Sequence, residues 1–347
     1  MKTISIEKLV RKNVLAMKSY SSARDEFQNA TQEMIFLDAN ENPFENGVNR
    51  YPDPKQKKLK TLFSKIKSIP EENIIFGNGS DELLDLLYRG FCEPNQDAVI
   101  TLPPTYGMYG VLANLNAVEN REVILDSNFQ PNVKSILEAV DDKTKIIFLC
   151  SPNNPTGNSF SAESIIEILN NFNGLVLIDE AYIDFSSEES WLQKINDYPN
   201  LIILQTLSKA YGLAGIRLGI LYANEQIIAI LNKIKPPYNI NELTQQKALS
   251  QLSNPNVVQK EIKKILENRE YLQAELSKIK HIEKVFPTDA NFLLIKVDHA
   301  EKRYAQLVEK GIVIRNRSNQ ELCENCLRIS VGTAAENKKL IQTLNDL

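Results

Sequence analysis

The chain has 347 residues, 43% of them hydrophobic and 24% charged, with a formal net charge of -4. That length holds about two domains, and the composition suits a globular protein with a real core. The balanced charge, with no long basic run, argues against nucleic acid as a partner, because neutralising phosphates takes clustered Lys and Arg.

The opening stretch MKTISIEKLVRKNVLAMK places Lys8, Arg11 and Lys12 where a signal peptide needs an unbroken apolar core. No apolar run reaches the roughly 18 residues that span a bilayer, so no membrane partner is expected. The cysteines Cys92, Cys150, Cys323 and Cys326 are too few for a disulfide scaffold in a chain this long. A cytoplasmic protein is the expectation.

Further along, short apolar, β-branched runs alternate with helical patterns. NIIF (73–76), AVIT (98–101), KIIFLC (145–150), LVLID (175–179) and LIILQT (201–206) read as strands. DELLDLLYRGF (81–91) and AESIIEIL (162–169) carry apolar residues at helical spacing. Strands apolar throughout are covered on both faces, so the pattern predicts an α/β fold with a mostly parallel central sheet under helices. Beyond about residue 255, VVQKEIKKILENREYLQAELSKI (257–279) reads as one long amphipathic helix. NFLLIKV (291–297), GIVIRN (311–316) and LRISVG (327–332) then read as short strands. The expected organisation is an N-terminal arm and part of the small domain over 1–40, a large domain over 41–255, and a small α+β domain over 256–347. Sheet order is not legible.

Functional-looking residues collect where strands end, the edge at which open α/β sheets bind ligands. After NIIF come GNGSDE (77–82) and a helix, whose first N–H groups, at Gly79, Ser80 and Asp81, suit an anion. A plain capped turn, with Ser80 as N-cap and Asp81 complementing the helix dipole, explains the same residues. After KIIFLC comes SPNNPTG (151–157), a tight polar loop in which Asn154 either donates into the crevice or serves the turn alone.

Asp179 closes LVLID, where a poorly solvated carboxylate needs a cationic partner. A structural ion pair or a helix cap is the simpler use. No metal is expected, since the two histidines, His281 and His299, are far away in sequence. Lys209 lies in QTLSKAYGLAGIRLG (205–219), directly after a strand. Partial desolvation there lowers an ammonium's pKa and frees a nucleophile, with Ser208 and Arg217 nearby to reach an anion. A lysine exposed at a strand end is otherwise common.

As a set, these residues fit one ligand, with a phosphate, a ring nitrogen to be kept protonated, a phenolic oxygen and an aldehyde. In order, GNGSDE, SPNNPTG, LIDEAY, TLSKAYGLAGIRLG and LRISVGT resemble the fold-type I transferases that depend on pyridoxal 5'-phosphate (PLP), in the aminotransferase class I/II group. The resemblance runs from about residue 35 to about residue 333. DANENPF (38–44) and RYPDP (50–54) resemble the histidinol-phosphate aminotransferase family within that group.

The resemblance implies that Lys209 holds PLP as a Schiff base and that Asp179 pairs with the pyridine nitrogen. It implies Asn154 and Tyr182 at the phenolic oxygen, and Tyr106 of PPTYGMYG stacked on the ring. Gly79, Ser80, Asp81, Ser208 and Arg217 are implied at the cofactor phosphate. Tyr51 of RYPDP would reach that phosphate from the neighbouring subunit of a homodimer. Arg328 of LRISVGT and Arg315 of VIRNR are implied for the substrates' anionic groups, and Tyr20 of SYSSAR for the substrate phosphate.

An arginine fork suits carboxylate and phosphate alike, so one pair can serve both substrates of a transamination. The plainer alternatives are that Arg315 and Arg317 decorate a strand edge and that Tyr20 packs. The implied activity is transfer of the amino group of L-histidinol phosphate to 2-oxoglutarate in histidine biosynthesis. The same resemblance leaves room for threonine-phosphate decarboxylation, for aromatic amino acid transamination, and for a catalytically silent PLP-binding regulator. Cys323 and Cys326 form CENC with no second Cys-x-x-Cys or nearby His, so a loop between two strands is expected there.

Overall fold

The structure, a computed structural model, describes residues 4–19 and 34–347. The apolar runs pair side by side into a seven-stranded sheet. Its strands are β1 (Ile74–Asn78), β2 (Ala98–Thr101), β3 (Glu119–Glu122), β4 (Thr144–Cys150), β5 (Leu175–Asp179), β6 (Leu201–Thr206) and β7 (Leu218–Ala223). Their order across the sheet is β1-β7-β6-β5-β4-β2-β3. From β3 to β6 every pairing is parallel, while β7 runs antiparallel to both β6 and β1.

Alternate side chains of each central strand enter two different apolar layers. Val176 and Ile178 of β5 enter one layer and Leu175 and Leu177 the other, and β4 and β6 divide in the same way. The helices Lys57–Lys67, Ala162–Asn171 and Glu242–Leu252 close the first layer. Helices Ser80–Phe91 and Glu225–Ile234 close the second, joined by Ile6, Val10 and Val14 of the N-terminal segment. Each fully buried Leu, Ile or Phe contributes about 1.5–3 kcal/mol, so this two-sided layering is the main support of the strand ends that carry the site.

A second sheet contains β8 (Ile282–Val285), β9 (Phe292–Val297), β10 (Arg315–Asn316) and β11 (Cys326–Ser330), in the order β10-β11-β9-β8 with all pairings antiparallel. Leu293, Ile295, Leu327 and Ile329 cover one face, under the helices Pro255–Leu276, Ala300–Glu309 and Ala334–Asn345. The other face, with Phe292, Leu294 and Cys326, turns toward the large sheet. The expected strand GIVIRN is paired only at Arg315–Asn316. Its first residues finish the preceding helix instead, since the Ile312 N–H donates to Leu307 O.

The two sheets are fastened at one loop. The Asp289 N–H donates to Gly157 O at 2.7 Å, and the Ser159 N–H donates to the Asp289 carboxylate at 3.0 Å. The mostly parallel sheet between helix layers, with a smaller α+β unit beside it, is the architecture expected from the pattern. Among the described residues, no helix is long and apolar enough to cross a membrane.

Candidate active site

The polar strand ends converge. Ser80, Asp81, Tyr106, Asn154, Asp179, Tyr182, Ser208, Lys209 and Arg217 line one cavity of about 90 Å³ beyond the C-terminal ends of β4, β5 and β6. This is the crevice where a doubly covered α/β sheet offers its ligand site.

One wall is the turn between β1 and the helix Ser80–Phe91. Gly79, not Ser80, is the N-cap, and no side chain caps this end. Ser80 is the first helical residue, so the leading N–H groups stay open to an anion. Gly79 has φ of 77°, and a Cβ there would collide with the Arg217 guanidinium. Arg217 itself sits at φ 54°, with its carbonyl accepting from the Gly79 N–H at 2.8 Å. Its guanidinium lies 3.6 Å from the Asp81 carboxylate, which also accepts from the Tyr106 hydroxyl at 3.0 Å. The antiparallel β7 brings Arg217 here, and a Cβ at Gly219 of that strand would overlap the Gly79–Ser80 backbone.

Asp179 ends β5 at 4% exposure. Its expected cationic partner is not there among the described residues; two neutral donors take its place. The Tyr109 hydroxyl donates to one oxygen at 2.7 Å and the Ala181 N–H to the other at 3.0 Å. Burial pushes the Asp179 pKa up to about 6, against the lowering effect of the Tyr109 bond. A desolvated carboxylate with neutral supports has its charge left for an incoming cation, such as a protonated ring nitrogen.

The two asparagines of SPNNPTG have separate uses. Asn153 is fully buried, donates to Pro104 O at 2.8 Å and accepts from the Thr105 hydroxyl at 3.0 Å. It therefore holds the loop in place and leaves Asn154 facing the cavity. Asn154 donates to the Tyr182 hydroxyl at 3.4 Å and accepts from Arg328 Nη1 at 2.5 Å. Tyr182 is buried edge-on against Phe292, which pushes its phenol pKa up.

Lys209 stands on the turn after β6, with Nζ 5.5 Å from the centre of the Tyr182 ring. It is open to the cleft, yet the surrounding walls desolvate its ammonium and lower its pKa. Repulsion from Arg328 and Arg217 adds to this, and Asp179 opposes it. This residue has the partly desolvated amine that the sequence suggested.

Not every expected residue joins this cavity. Tyr51 stacks on Tyr238 with ring centres 4.5 Å apart and lines a different groove. Arg328 reaches the cavity through Asn154, whereas Arg315, directly opposite it on β10, is exposed. Tyr20 lies outside the described residues. Cys323 and Cys326 are buried free thiols, and no group of three or more His, Cys, Asp or Glu among the described residues is placed to hold a metal. Sequence reasoning missed Tyr109. Its signal is its place three residues after Tyr106, which is also the spacing of an ordinary core residue on a helix.

The model of the family "Aminotransferase class I and II" matches residues 20–344. A curated relative from Flavobacterium johnsoniae, named histidinol-phosphate aminotransferase, is 64% identical, with 99% of each chain covered. The crystal structure of the histidinol-phosphate aminotransferase from Clostridium acetobutylicum superposes with a TM-score of 0.80 at 27% identity, covering 86% of this chain and 90% of that one. That from Sinorhizobium meliloti, in complex with pyridoxal-5'-phosphate, shares the fold with a TM-score of 0.77 at 22% identity, covering 86% of this chain and 82% of that one. With the family model matching nearly the whole sequence and a full-length relative identical at well over half its positions, the chain belongs to the class I and II aminotransferases.

Proposed function

We propose that this chain transfers the amino group of L-histidinol phosphate to 2-oxoglutarate, giving imidazole acetol phosphate and L-glutamate, with PLP as cofactor. The carrying observation is one cavity that joins a lysine, a carboxylate lacking a cation, an uncapped helix N-terminus and an arginine. The substrate rests on the name of the 64% identical relative and on DANENPF and RYPDP. A cytoplasmic setting is part of the proposal, and four free buried thiols suit a reducing compartment.

When bound, PLP supplies a conjugated ring that draws electron density from the substrate's α-carbon. Asp179 is the residue for the ring nitrogen, because a proton held opposite it relieves its desolvated charge. The open N–H groups at Ser80 and Asp81, on the turn that Gly79 shapes, take the cofactor phosphate with Ser208 and Arg217. Asn154 and Tyr182 take the phenolic oxygen, and Tyr106 covers a ring face. Lys209, its pKa lowered, is the base that carries the proton away from the substrate's α-carbon. Arg328 and Arg315 receive the anionic groups of the two substrates in turn.

A homodimer completes the site in this reading. Tyr51 shares its groove with Val48 and Leu243, which are 52% and 64% exposed, and Ile35, Leu37 and Phe44 are more exposed still. Exposed apolar side chains gathered in one region mark an interface, and a second copy would bring its Tyr51 to this phosphate cradle.

The test is an absorption spectrum of the PLP-loaded protein. The visible band of the bound cofactor is expected to collapse with L-histidinol phosphate and return with 2-oxoglutarate. A band that ignores histidinol phosphate but responds to phenylalanine, or release of carbon dioxide from threonine phosphate, overturns the substrate. No band at all overturns the cofactor and the role of Lys209.

A further inference from the structure

The ladder between β10 and β11 sets Arg315 opposite Arg328, and continues with the Arg317 N–H donating to Cys326 O at 2.9 Å. Residues opposite one another, and residues two apart on a strand, share a face. Arg315, Arg317 and Arg328 therefore stand on one face of the small sheet. It is the face that carries Phe292 and turns toward the large sheet. The Arg328 guanidinium lies 5.2 Å from the Phe292 ring centre, and Phe292 meets Tyr182 at 5.0 Å, so this face leads into the Lys209 cavity.

The three arginines share this face without a counter-charge. Among the described residues none of the three forms an ion pair. The Nε atoms of Arg317 and Arg328 are buried with no hydrogen-bond partner. Elsewhere Arg121 pairs with Asp141 at 2.8 Å and Arg303 with Asp298 at 2.7 Å, while Arg269 donates to the carbonyls of Phe185 and Ala290. Burial and then Arg317 lower the pKa of Arg328, and Arg317 also acts on the Tyr182 hydroxyl. Partly buried like charges with orphaned donors are unfavourable until an anion pairs with them.

We infer that Arg317 is a third arginine of the substrate-anion site, acting with Arg328 and Arg315 on a phosphate and setting the preference for a phosphorylated amine over its dephosphorylated form. This rests on the proposed transamination of histidinol phosphate. A phosphate dianion offers more charge and more acceptor oxygens than a carboxylate, so a third fork adds more to phosphate binding than to carboxylate binding.

The test compares the PLP-loaded wild type, Arg317→Gln and Arg317→Lys, with circular dichroism as the check on folding. Holoprotein is used so that the cofactor fills the other anion cradle. Calorimetric titration with inorganic phosphate should show binding weakened about tenfold to a hundredfold in Arg317→Gln, the usual range for a lost charge-assisted hydrogen bond. In kinetics, its loss of kcat/KM on L-histidinol phosphate should exceed its loss on L-histidinol by about tenfold or more, mostly through KM. Arg317→Lys, which keeps the charge and loses the fork, should fall between. Equal losses on both amines, or phosphate binding unchanged in both variants, overturn the inference. A wild type that prefers L-histidinol overturns the substrate reading instead, while the phosphate titration still decides Arg317.

Discussion

The Tyr109 hydroxyl donates to Asp179 at 2.7 Å from a ring that is itself fixed, stacked on Phe148 with centres 5.0 Å apart and fully buried. The bond stabilises the ionised carboxylate and lowers its pKa against the upward push of burial. Tyr109→Phe should therefore move the Asp179 pKa above about 6. PLP affinity, measured against pH by equilibrium titration of the apoprotein, should rise at a higher pH than in the wild type, and kcat should fall about tenfold. An unmoved pH dependence would leave Tyr109 with a packing role alone.

Asp179 itself should weaken the apoprotein at neutral pH. Its folded pKa of about 6 lies above the ordinary 3.8, so the folded state holds this proton more tightly than the unfolded state. The penalty is absent below the lower value, grows as pH rises between the two and is complete above about 6. A shift of about two units corresponds to at most roughly 3 kcal/mol. Apo Asp179→Asn should melt above the apo wild type at pH 8 and level with it near pH 4, while losing turnover.

The adjacent asparagines should separate stability from function. Asn153→Ala strips partners from buried groups and should cost about 2–3 kcal/mol, read as a lower Tm. Asn154→Ala should change stability by about 1 kcal/mol or less and lower kcat/KM instead. Equal thermal losses in the two variants would contradict this division.

The role of Tyr51 across subunits has its own test. Lys209→Ala homodimers should be inactive, and Tyr51→Phe homodimers should bind PLP more weakly. Mixing the two should restore activity, because one site of each mixed dimer receives an intact lysine and an intact partner tyrosine. Sedimentation should give a dimer mass. Mixtures no better than the sum of their parts would place Tyr51 within its own subunit's site.

Much of this was legible because burial on both faces leaves an unmistakable apolar run. KIIFLC, LVLID and LIILQT became β4, β5 and β6 with their ends pointing into the site. β3, with the sequence ENRE, is an exposed edge strand and has no apolar signal to read. β7 begins directly after the turn that carries Arg217, so its run merges with a stretch that reads as loop. Its antiparallel insertion depends on Gly219, whose need shows only when the neighbouring turn is in place. Asp179 was foreseen as a buried carboxylate, but not that tyrosine would support it in place of a cation. Tyr109 escaped notice and Arg317 was read only as a strand-edge residue, because their significance comes from what lies across a strand or a helix, which one-dimensional spacing does not carry.

The loop fastening described for Asp289, Gly157 and Ser159 lies only a few residues from Asn154. Arg328 grips that same asparagine from the small sheet. In the proposed reading, the residues for the substrate's tail and for the cofactor's oxygen thus share one anchor. An anion drawn to Arg328 then competes with Asn154 for the same guanidinium, so filling one end of the crevice changes the hydrogen bonding at the other.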